Sequence, residues 1–215
     1  LVDMPKIKEK AIIQLDPDEV ANLLDYIENY GNQLSGVKLY HYNKQKYRDI
    51  AIVTLLLGTG VRVSELVGLN ISDIDFKNNG IRILRKGGNE MIVYFGEEVE
   101  KALHDYLEIS RNAMTPLSGH EDALFLSGQR RRISVDAVEK MVKKYASAIS
   151  AKTITPHKLR STYGTALYRE TGDIYLVADV LGHADVNTTK KHYAKLSDAR
   201  RRAASKAVIL REKID

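Results

Sequence analysis

The chain has 215 residues, 44% of them apolar, so it can bury a sizeable core in one large domain or two small ones. It contains no cysteine, which excludes disulfide bonds and cysteine-ligated zinc, and no apolar run approaches the length of a membrane span. The net charge of +5 is concentrated near the end of the chain, because residues 152–215 hold 13 Lys and Arg against 7 Asp and Glu, and this imbalance favours a polyanionic partner.

The N-terminal part of the chain predicts an arm followed by helices. Residues 1–14 carry three lysines against two acidic residues, and we interpret them as an arm or linker. Residues 16–19 (Asp-Pro-Asp-Glu) have the pattern of a capping box with proline at the first helical position, so a helix should start here. Residues 31–43 are rich in Gly, Ser, Asn and Tyr and predict a surface loop, whereas the apolar residues 47–57 predict a buried helix.

The middle of the chain predicts a small sheet among further helices. After a break at residues 58–60, a short helix is expected at residues 62–67. Residues 81–84 and 91–95 alternate like the strands of a hairpin, with residues 85–90 as the turn. Further helices are predicted at residues 97–110, 134–150 and 198–213. The expected architecture is mainly α with a small antiparallel β-sheet (α+β).

The helix expected after residue 155 begins with side chains suited to bind an anion. Thr155 is a typical N-cap and Pro156 a typical first helical residue. His157 and Arg160 then lie three positions apart, on one face of the first turn. This turn also carries unpaired backbone N–H groups and the positive end of the helix dipole, so it is a good place to hold a phosphate.

The rest of this region supplies another histidine and a tyrosine. The helix should stop at residues 171–172, where glycine follows threonine. An apolar segment at residues 174–181 ends at Gly182, which leads into His183. A polar helix from residue 186 then carries Tyr193, ten positions after His183.

Two cations earlier in the chain are candidates for the same site. Arg62 follows the glycines of residues 58–60, which let the backbone approach a ligand, and its guanidinium offers a planar fork to phosphate oxygens. The structural alternative is an ion pair with Glu65. Lys86 lies at the tip of the predicted hairpin, where a lysine is usually only solvated but can also donate a proton to a leaving oxygen.

The histidines and the tyrosine have structural alternatives too. Taken alone, His157 is more often a cap or core residue than a catalyst, His183 can be a turn residue, and His192 can be a surface neighbour of Tyr193. The three histidines lack an accompanying Asp, Glu or Cys set at ligand spacing, so no metal site is expected. Tyr193 is one of 12 tyrosines, and a phenol with a pKa of about 10 needs a base or a strongly positive site to act as a nucleophile.

Five blocks of the sequence, in order, resemble the tyrosine recombinases of the phage-integrase family. They are residues 60–66 (Gly-Val-Arg-Val-Ser-Glu-Leu), the Lys86 hairpin, residues 157–160 (His-Lys-Leu-Arg), residues 181–183 (Leu-Gly-His) and Tyr193. Each block alone is a weak or moderate signal, but the ordered set is highly specific. Residues 185–189 also resemble the family's sequence between the residues that correspond to His183 and Tyr193. The resemblance implies the tyrosine-recombinase catalytic-domain fold.

The resemblance implies DNA strand exchange by transesterification, with no metal, cofactor or ATP. The implied catalytic residues are Arg62, Lys86, His157, Arg160, His183 and Tyr193. The tyrosine would attack the scissile phosphate and form a 3′-phosphotyrosyl bond, while the two arginines hold the non-bridging oxygens. The lysine would protonate the leaving 5′-oxygen, the first histidine would act in acid–base transfer, and the second would hold the phosphate or the developing charge.

The family's pattern also implies a division of the chain. Residues 1–14 would be a linker from an N-terminal DNA-binding region, because too few residues precede the first catalytic block to form one. Residues 15–197 would be the catalytic domain. Residues 198–215 would form a C-terminal helix that docks either on a neighbouring protomer or on its own core. The hairpin is less basic than usual in the family, since Asn89 and Met91 stand where further basic residues are common.

The implied partners follow from the implied reaction. Double-stranded DNA would be the substrate, and a homotetramer on DNA would be the working form, because one tyrosine per protomer cannot exchange four strands. Accessory excision or DNA-bending proteins are further partners in this class. No membrane partner is expected, and a cytoplasmic, nucleoid-associated protein encoded by a prokaryote or a phage fits both the resemblance and the absence of cysteine.

Three other functions compete with recombination. A type IB topoisomerase would use the same chemistry to relax DNA, but the small size of the chain and the sequence around His183 argue against it. A catalytically inactive DNA-binding relative is opposed by the intact set of six residues. A helical interaction module with no nucleic-acid role is opposed by the positive charge of the C-terminal third.

Overall fold

The computed structural model describes residues 13–85, 88–183, 186–187 and 189, and this part is mainly helical with one three-stranded sheet. The helices are α1 (Pro17–Asn29), α2 (Gly36–Thr59), α3 (Val63–Gly68), α4 (Glu97–Asp105), α5 (Val135–Ile149), α6 (Pro156–Thr171) and α7 (Ile174–Leu181). The strands are β1 (Ile74–Asp75), β2 (Gly80–Leu84) and β3 (Glu90–Tyr94). Shorter segments are the 3-10 helices Tyr30–Gln33 and Ile71–Asp73 and the π-helix Tyr106–Arg111. The predicted α+β class is confirmed.

Helix α2 lies at the centre of the described core. Its fully buried side chains are Ala51, Ile52, Val53, Leu55 and Leu56. A helix segment that is apolar on all sides must be enclosed by other elements, and α2 packs against α1, α4 and α6. It ends at Gly60, whose left-handed conformation (φ 65°) is one that a side chain strongly disfavours.

The prediction of a surface loop at residues 31–43 is wrong for most of this range. Helix α2 already begins at Gly36, directly after its N-cap residue Ser35. The buried Tyr42 donates a hydrogen bond to the carbonyl of Ile27 at 2.7 Å and so ties this part of α2 to α1. Because extending an existing helix needs no new nucleation, this tertiary contact outweighs the loop-like local composition.

The sheet has the order β1-β2-β3, and both strand pairs are antiparallel. The predicted hairpin strands are confirmed, each beginning one residue earlier than expected. Ile81 pairs with Val93, and the buried side chains of both, together with Ile83, face the core. The two-residue β1 was not predicted because it is too short for an alternating pattern.

The predicted helix ends agree with the structure where local capping decides them. In α1, the backbone N–H of Asp16 donates to the carboxylate of Glu19 at 2.9 Å, which is the expected capping box. In α5, the hydroxyl of Ser134 accepts from the N–H of Ala137 at 3.2 Å. The helix predicted at residues 97–110 is present as α4 followed by the π-helix.

The chain ends lie largely outside the described residues, including residues 1–12 of the predicted arm and the helix predicted at residues 198–213. The junction that is described packs on α6. The N–H of Leu15 donates to the hydroxyl of Thr162 at 3.0 Å, and the hydroxyl of Thr165 donates to the side-chain carbonyl of Gln14. In the part of the chain that can be described, no helix is both long and apolar enough to cross a membrane.

Candidate active site

The first turn of α6 has the structure that its sequence predicts. Thr155 is the N-cap, with its hydroxyl accepting from the N–H of Lys158, and Pro156 is the first helical residue. Arg160 is buried and His157 is exposed, so the two side chains lie at different depths of the same helix face.

Arg160 joins three elements at one point. Its Nη1 donates to the carbonyl of Gly60, at the end of α2, and its Nη2 donates to the carbonyl of Leu181, at the end of α7. Only 5% of the residue is exposed. Burying a guanidinium is costly unless its donors are paired, so these two carbonyls are part of what holds the arginine in place.

Arg62 forms the ion pair that its sequence predicts and also reaches the end of α7, where Arg160 is bound. It is the N-cap residue of α3, and its Nη1 forms an ion pair with the buried carboxylate of Glu65 at 2.9 Å. Its Nη2 donates to the carbonyl of Gly182 at 3.2 Å. The side chain is 38% exposed. The ion pair does not rule out a ligand, because a guanidinium has five N–H donors.

His183 is oriented by the turn that precedes it. Gly182 adopts the left-handed conformation (φ 61°), and the backbone N–H of His183 donates to the carbonyl of Ala178 at 2.9 Å. The ring Nδ1 lies 2.6 Å from the hydroxyl of Thr189, which is fully buried. A contact at one ring nitrogen fixes the orientation in which the other is presented.

Four of the predicted residues line one cleft of about 280 Å³: Arg62, His157, Arg160 and His183. Partial desolvation of its ring in the cleft lowers the pKa of His157 below its ordinary value of 6.5, although the residue is exposed overall, and the nearby cations Lys158, Arg160 and Arg62 lower it further. At neutral pH this histidine is therefore mainly uncharged and able to accept a proton. The cleft offers two guanidinium groups and a helix N-terminus to an anion, together with a neutral base.

The other two predicted catalytic residues, Lys86 and Tyr193, lie outside the described residues, as does His192. Their positions relative to the cleft stay predictions. Within the described ranges, no group of three or more His, Asp or Glu side chains is arranged to hold a metal ion.

Sequence reasoning missed two neighbours of the cleft. Arg85 donates from Nη2 to the carbonyl of Val180 at 2.7 Å, and Thr189 contacts the ring of His183. A charged residue at the end of a strand gives no sign of a contact 95 positions later in the chain, so no local pattern could have found Arg85. The partnership of Arg62 with Glu65 was visible as an i, i+3 pair.

The family is shown by comparison with known proteins. The model of the phage integrase family matches residues 14–200, and the chain belongs to this family. Among curated relatives, tyrosine recombinase XerS of Streptococcus agalactiae is 38% identical over 204 residues, covering 93% of this chain and 56% of that protein. XerS of Streptococcus pneumoniae is 39% identical over 201 residues, covering 92% and 55%. The chain thus spans about half the length of the curated relatives it matches.

Solved structures of the family share the fold. The crystal structure of XerA recombinase matches with a TM-score of 0.74 and 31% identity, over 94% of this chain and 67% of that one. The Tn1549 transposon integrase, solved in complex with circular intermediate DNA, matches with a TM-score of 0.70 and 25% identity, over 94% and 69%. The expected tyrosine-recombinase catalytic-domain fold is confirmed.

Proposed function

We propose that this chain is the catalytic domain of a site-specific DNA recombinase that cuts and rejoins DNA through a 3′-phosphotyrosyl intermediate. The observation that carries the proposal is the cleft in which Arg62, His157, Arg160 and His183 converge from three separate parts of the sequence. Membership of the phage integrase family and the recombinase names of the relatives support recombination over DNA relaxation.

The reaction begins with attack of the Tyr193 hydroxyl oxygen on the scissile phosphorus. A bond forms between the phenolic oxygen and phosphorus while the bond from phosphorus to the 5′-oxygen breaks. The phenolic proton passes to a base, for which the neutral ring of His157 is suited by its lowered pKa. Lys86 supplies a proton to the departing 5′-oxygen. The number of phosphodiester-type bonds is unchanged, so rejoining by a 5′-hydroxyl needs neither ATP nor a metal ion.

The two arginines stabilise the charge that builds on the non-bridging oxygens. Arg160 is buried with two backbone acceptors, and Arg62 is held by Glu65, so both are preorganised before the phosphate arrives. Each charged hydrogen bond contributes about 1.5–3 kcal/mol. His183, oriented by Thr189, holds the phosphate or the developing negative charge.

The domain limits and the assembly are part of the proposal. Residues 15–197 form the catalytic unit, and residues 1–14 link it to an N-terminal DNA-binding region. Four protomers act on two double-stranded DNA sites in the cytoplasm, with accessory excision or DNA-bending proteins as further partners. Residues 198–215 dock on a neighbouring protomer or on their own core. A deletion after residue 197 decides between these, since unchanged assembly on DNA contradicts docking on a neighbour.

The test is covalent trapping on a nicked suicide duplex. The crossover sequence is first selected by the full-length protein from a random duplex pool, and duplexes nicked at successive central positions are then incubated with wild type and Tyr193→Phe. A denaturing gel should show a protein–DNA adduct with wild type only. An adduct with Tyr193→Phe contradicts the assignment of the nucleophile. Binding without any adduct favours a catalytically inactive relative, and relaxation of plasmids that lack the site favours a topoisomerase.

A further inference from the structure

Three successive backbone carbonyls at the end of α7 each accept a hydrogen bond from a different arginine. The three pairs are Arg85 with Val180 at 2.7 Å, Arg160 with Leu181, and Arg62 with Gly182 at 3.2 Å. Carbonyls at a helix C-terminus have no partner within the helix and carry the negative end of its dipole. Three arginines from three elements therefore hold one turn, and two of them are the proposed phosphate ligands.

Arg85 differs from the other two arginines because it is not one of the residues that line the cleft. Its guanidinium packs directly on Gly182, where any side chain would collide with it. Across the described ranges, the cleft is lined by Arg62, Arg160 and their neighbours, and Arg85 is not among its lining residues. The contact that links Arg85 to the cleft is therefore the turn that it holds.

Arg85 supplies a hydrogen bond to the turn, but its own burial is only partly compensated. Its Nε is buried without a hydrogen-bond partner within the described part of the chain, and such a group is costly to bury. Burial lowers the pKa of Arg85, and although Glu65 opposes this change, the neighbouring charge of Arg62 adds to it. Arg85 is thus costly to bury, and its hydrogen bond goes to the turn at the end of α7.

Loss of Arg85 would release the turn from one side. The carbonyl of Val180 would lose its donor, and the space beside Gly182 would become empty. His183 comes directly after Gly182. Arg62 and Arg160 donate hydrogen bonds to the carbonyls of Gly182 and Leu181 in this turn. A displacement of about 1 Å in a reacting group can cost about 100-fold in rate.

We propose that Arg85 is a positioning residue of the phosphate-binding cleft: it holds the turn from Val180 to His183, and through this turn it places His183, Arg62 and Arg160 around the scissile phosphate. This inference rests on the proposed function.

The test compares Arg85→Ala with wild type, in the full-length protein, on two nicked suicide duplexes of the same selected sequence. One has an ordinary scissile phosphate and the other a methylphosphonate, which lacks one charged oxygen and so depends less on cationic ligands. On the phosphate, Arg85→Ala should form the adduct about 10–100-fold more slowly than wild type. On the methylphosphonate, its rate should stay within about threefold of wild type.

A third duplex, with sulfur in place of the bridging 5′-oxygen, separates this role from one in leaving-group protonation. A thiolate leaves without needing a proton, so recovery of Arg85→Ala on this duplex alone would overturn the inference and indicate an effect through the adjacent Lys86. An equal loss on all three duplexes would also overturn it, because a smaller folded fraction lowers every rate alike.

The matched control is Arg82→Ala, which removes the same charge three positions earlier, within β2. Arg82 is exposed and pairs with Asp73 at 3.0 Å, and it does not line the cleft. It should keep wild-type rates on all three duplexes, and a selective loss on the phosphate duplex would assign the effect to charge and overturn the inference. No adduct from wild type on any duplex would refute the proposed function itself, which is a result distinct from a normal rate in Arg85→Ala.

Discussion

At the residue scale, the arginines of the cleft have structural partners as well as their proposed ligand. Arg160 donates hydrogen bonds to the ends of α2 and α7. Arg62 forms an ion pair with Glu65 and donates a hydrogen bond to the end of α7. The planar guanidinium can serve two or more acceptors in fixed directions, whereas an ammonium is a compact charge without such a fork. Arginine at these positions is therefore not interchangeable with lysine.

Arg160→Lys should slow adduct formation severely although the charge is retained. Loss of charged hydrogen bonds worth about 1.5–3 kcal/mol corresponds to about 10–150-fold in rate. The measurement is single-turnover adduct formation with saturating full-length protein. Arg169→Lys, at an exposed position in the last turn of the same helix, is the control and should react at the wild-type rate. Equal rates for both variants would contradict a role of Arg160 at the phosphate.

His157 should make stability depend on pH in a defined direction. Its pKa is lower in the folded chain than the ordinary value of 6.5, mainly through partial desolvation of the ring, so the unfolded chain binds this proton more readily. Its contribution to stability is then complete above pH 6.5 and is lost as the pH falls through the folded pKa. Urea unfolding across this window should show a smaller acid loss for His157→Gln than for wild type. The exposed His41→Gln is the control, and equal losses in both variants would contradict the prediction.

At the scale of the elements, three helices end on left-handed glycines, and two of these ends contribute to the cleft. Gly60 ends α2, Gly172 ends α6 and Gly182 ends α7. Gly60 and Gly182 also present their carbonyls to the cleft arginines. The same residues that stop the helices therefore supply the acceptors that organise the candidate site.

Gly60→Ala should destabilise the fold by about 1–3 kcal/mol, because alanine is strained in the left-handed conformation. Its Cβ would also meet Tyr163 and Leu181. Gly68→Ala is the matched control, since Gly68 is helical and an added Cβ meets nothing within 4 Å; it should be neutral or stabilising by up to about 1 kcal/mol. The measurement is the midpoint of urea unfolding. Equal midpoints for the two variants would count against a strained end of α2.

At the scale of the whole molecule, the positive charge and three of the four predicted residues of the cleft lie towards the end of the chain. Residues 152–215 carry 13 Lys and Arg against 7 Asp and Glu, and the preceding residues carry 20 against 21. Neutralised phosphates release counterions, so binding driven by this charge must weaken with salt. The chain spans about half the length of the curated relatives it matches, and the N-terminal DNA-binding region proposed above would supply a second DNA-binding surface.

The 215-residue chain alone should bind DNA poorly and with little sequence preference. Linking two binding modules raises affinity by about 100-fold or more, so gel shifts on the selected site should show at least this gain for the full-length protein. Raising the salt should weaken both proteins. A tight, site-specific shift by the isolated chain would contradict the division into residues 15–197 and a separate DNA-binding region. Salt-independent retention on heparin would revive an interaction module without a nucleic-acid role.

The sequence alone determined the features that depend on neighbouring residues. The capping box at residues 16–19, the start of α6 at Thr155 and the glycine ends of α6 and α7 were all predicted, because each is set by contacts within a few positions of the chain. The motif order likewise identified four residues that line one cleft.

Only the tertiary structure decided what depends on distant parts of the chain. The early start of α2 is stabilised by Tyr42 against α1, and the local composition predicted a loop instead. Arg85 meets Val180 across 95 positions, and Arg62 meets Gly182 across 120. Contacts of this kind leave no periodic or capping pattern, because they arise from the packing of whole elements against one another and not from the local preferences of either segment.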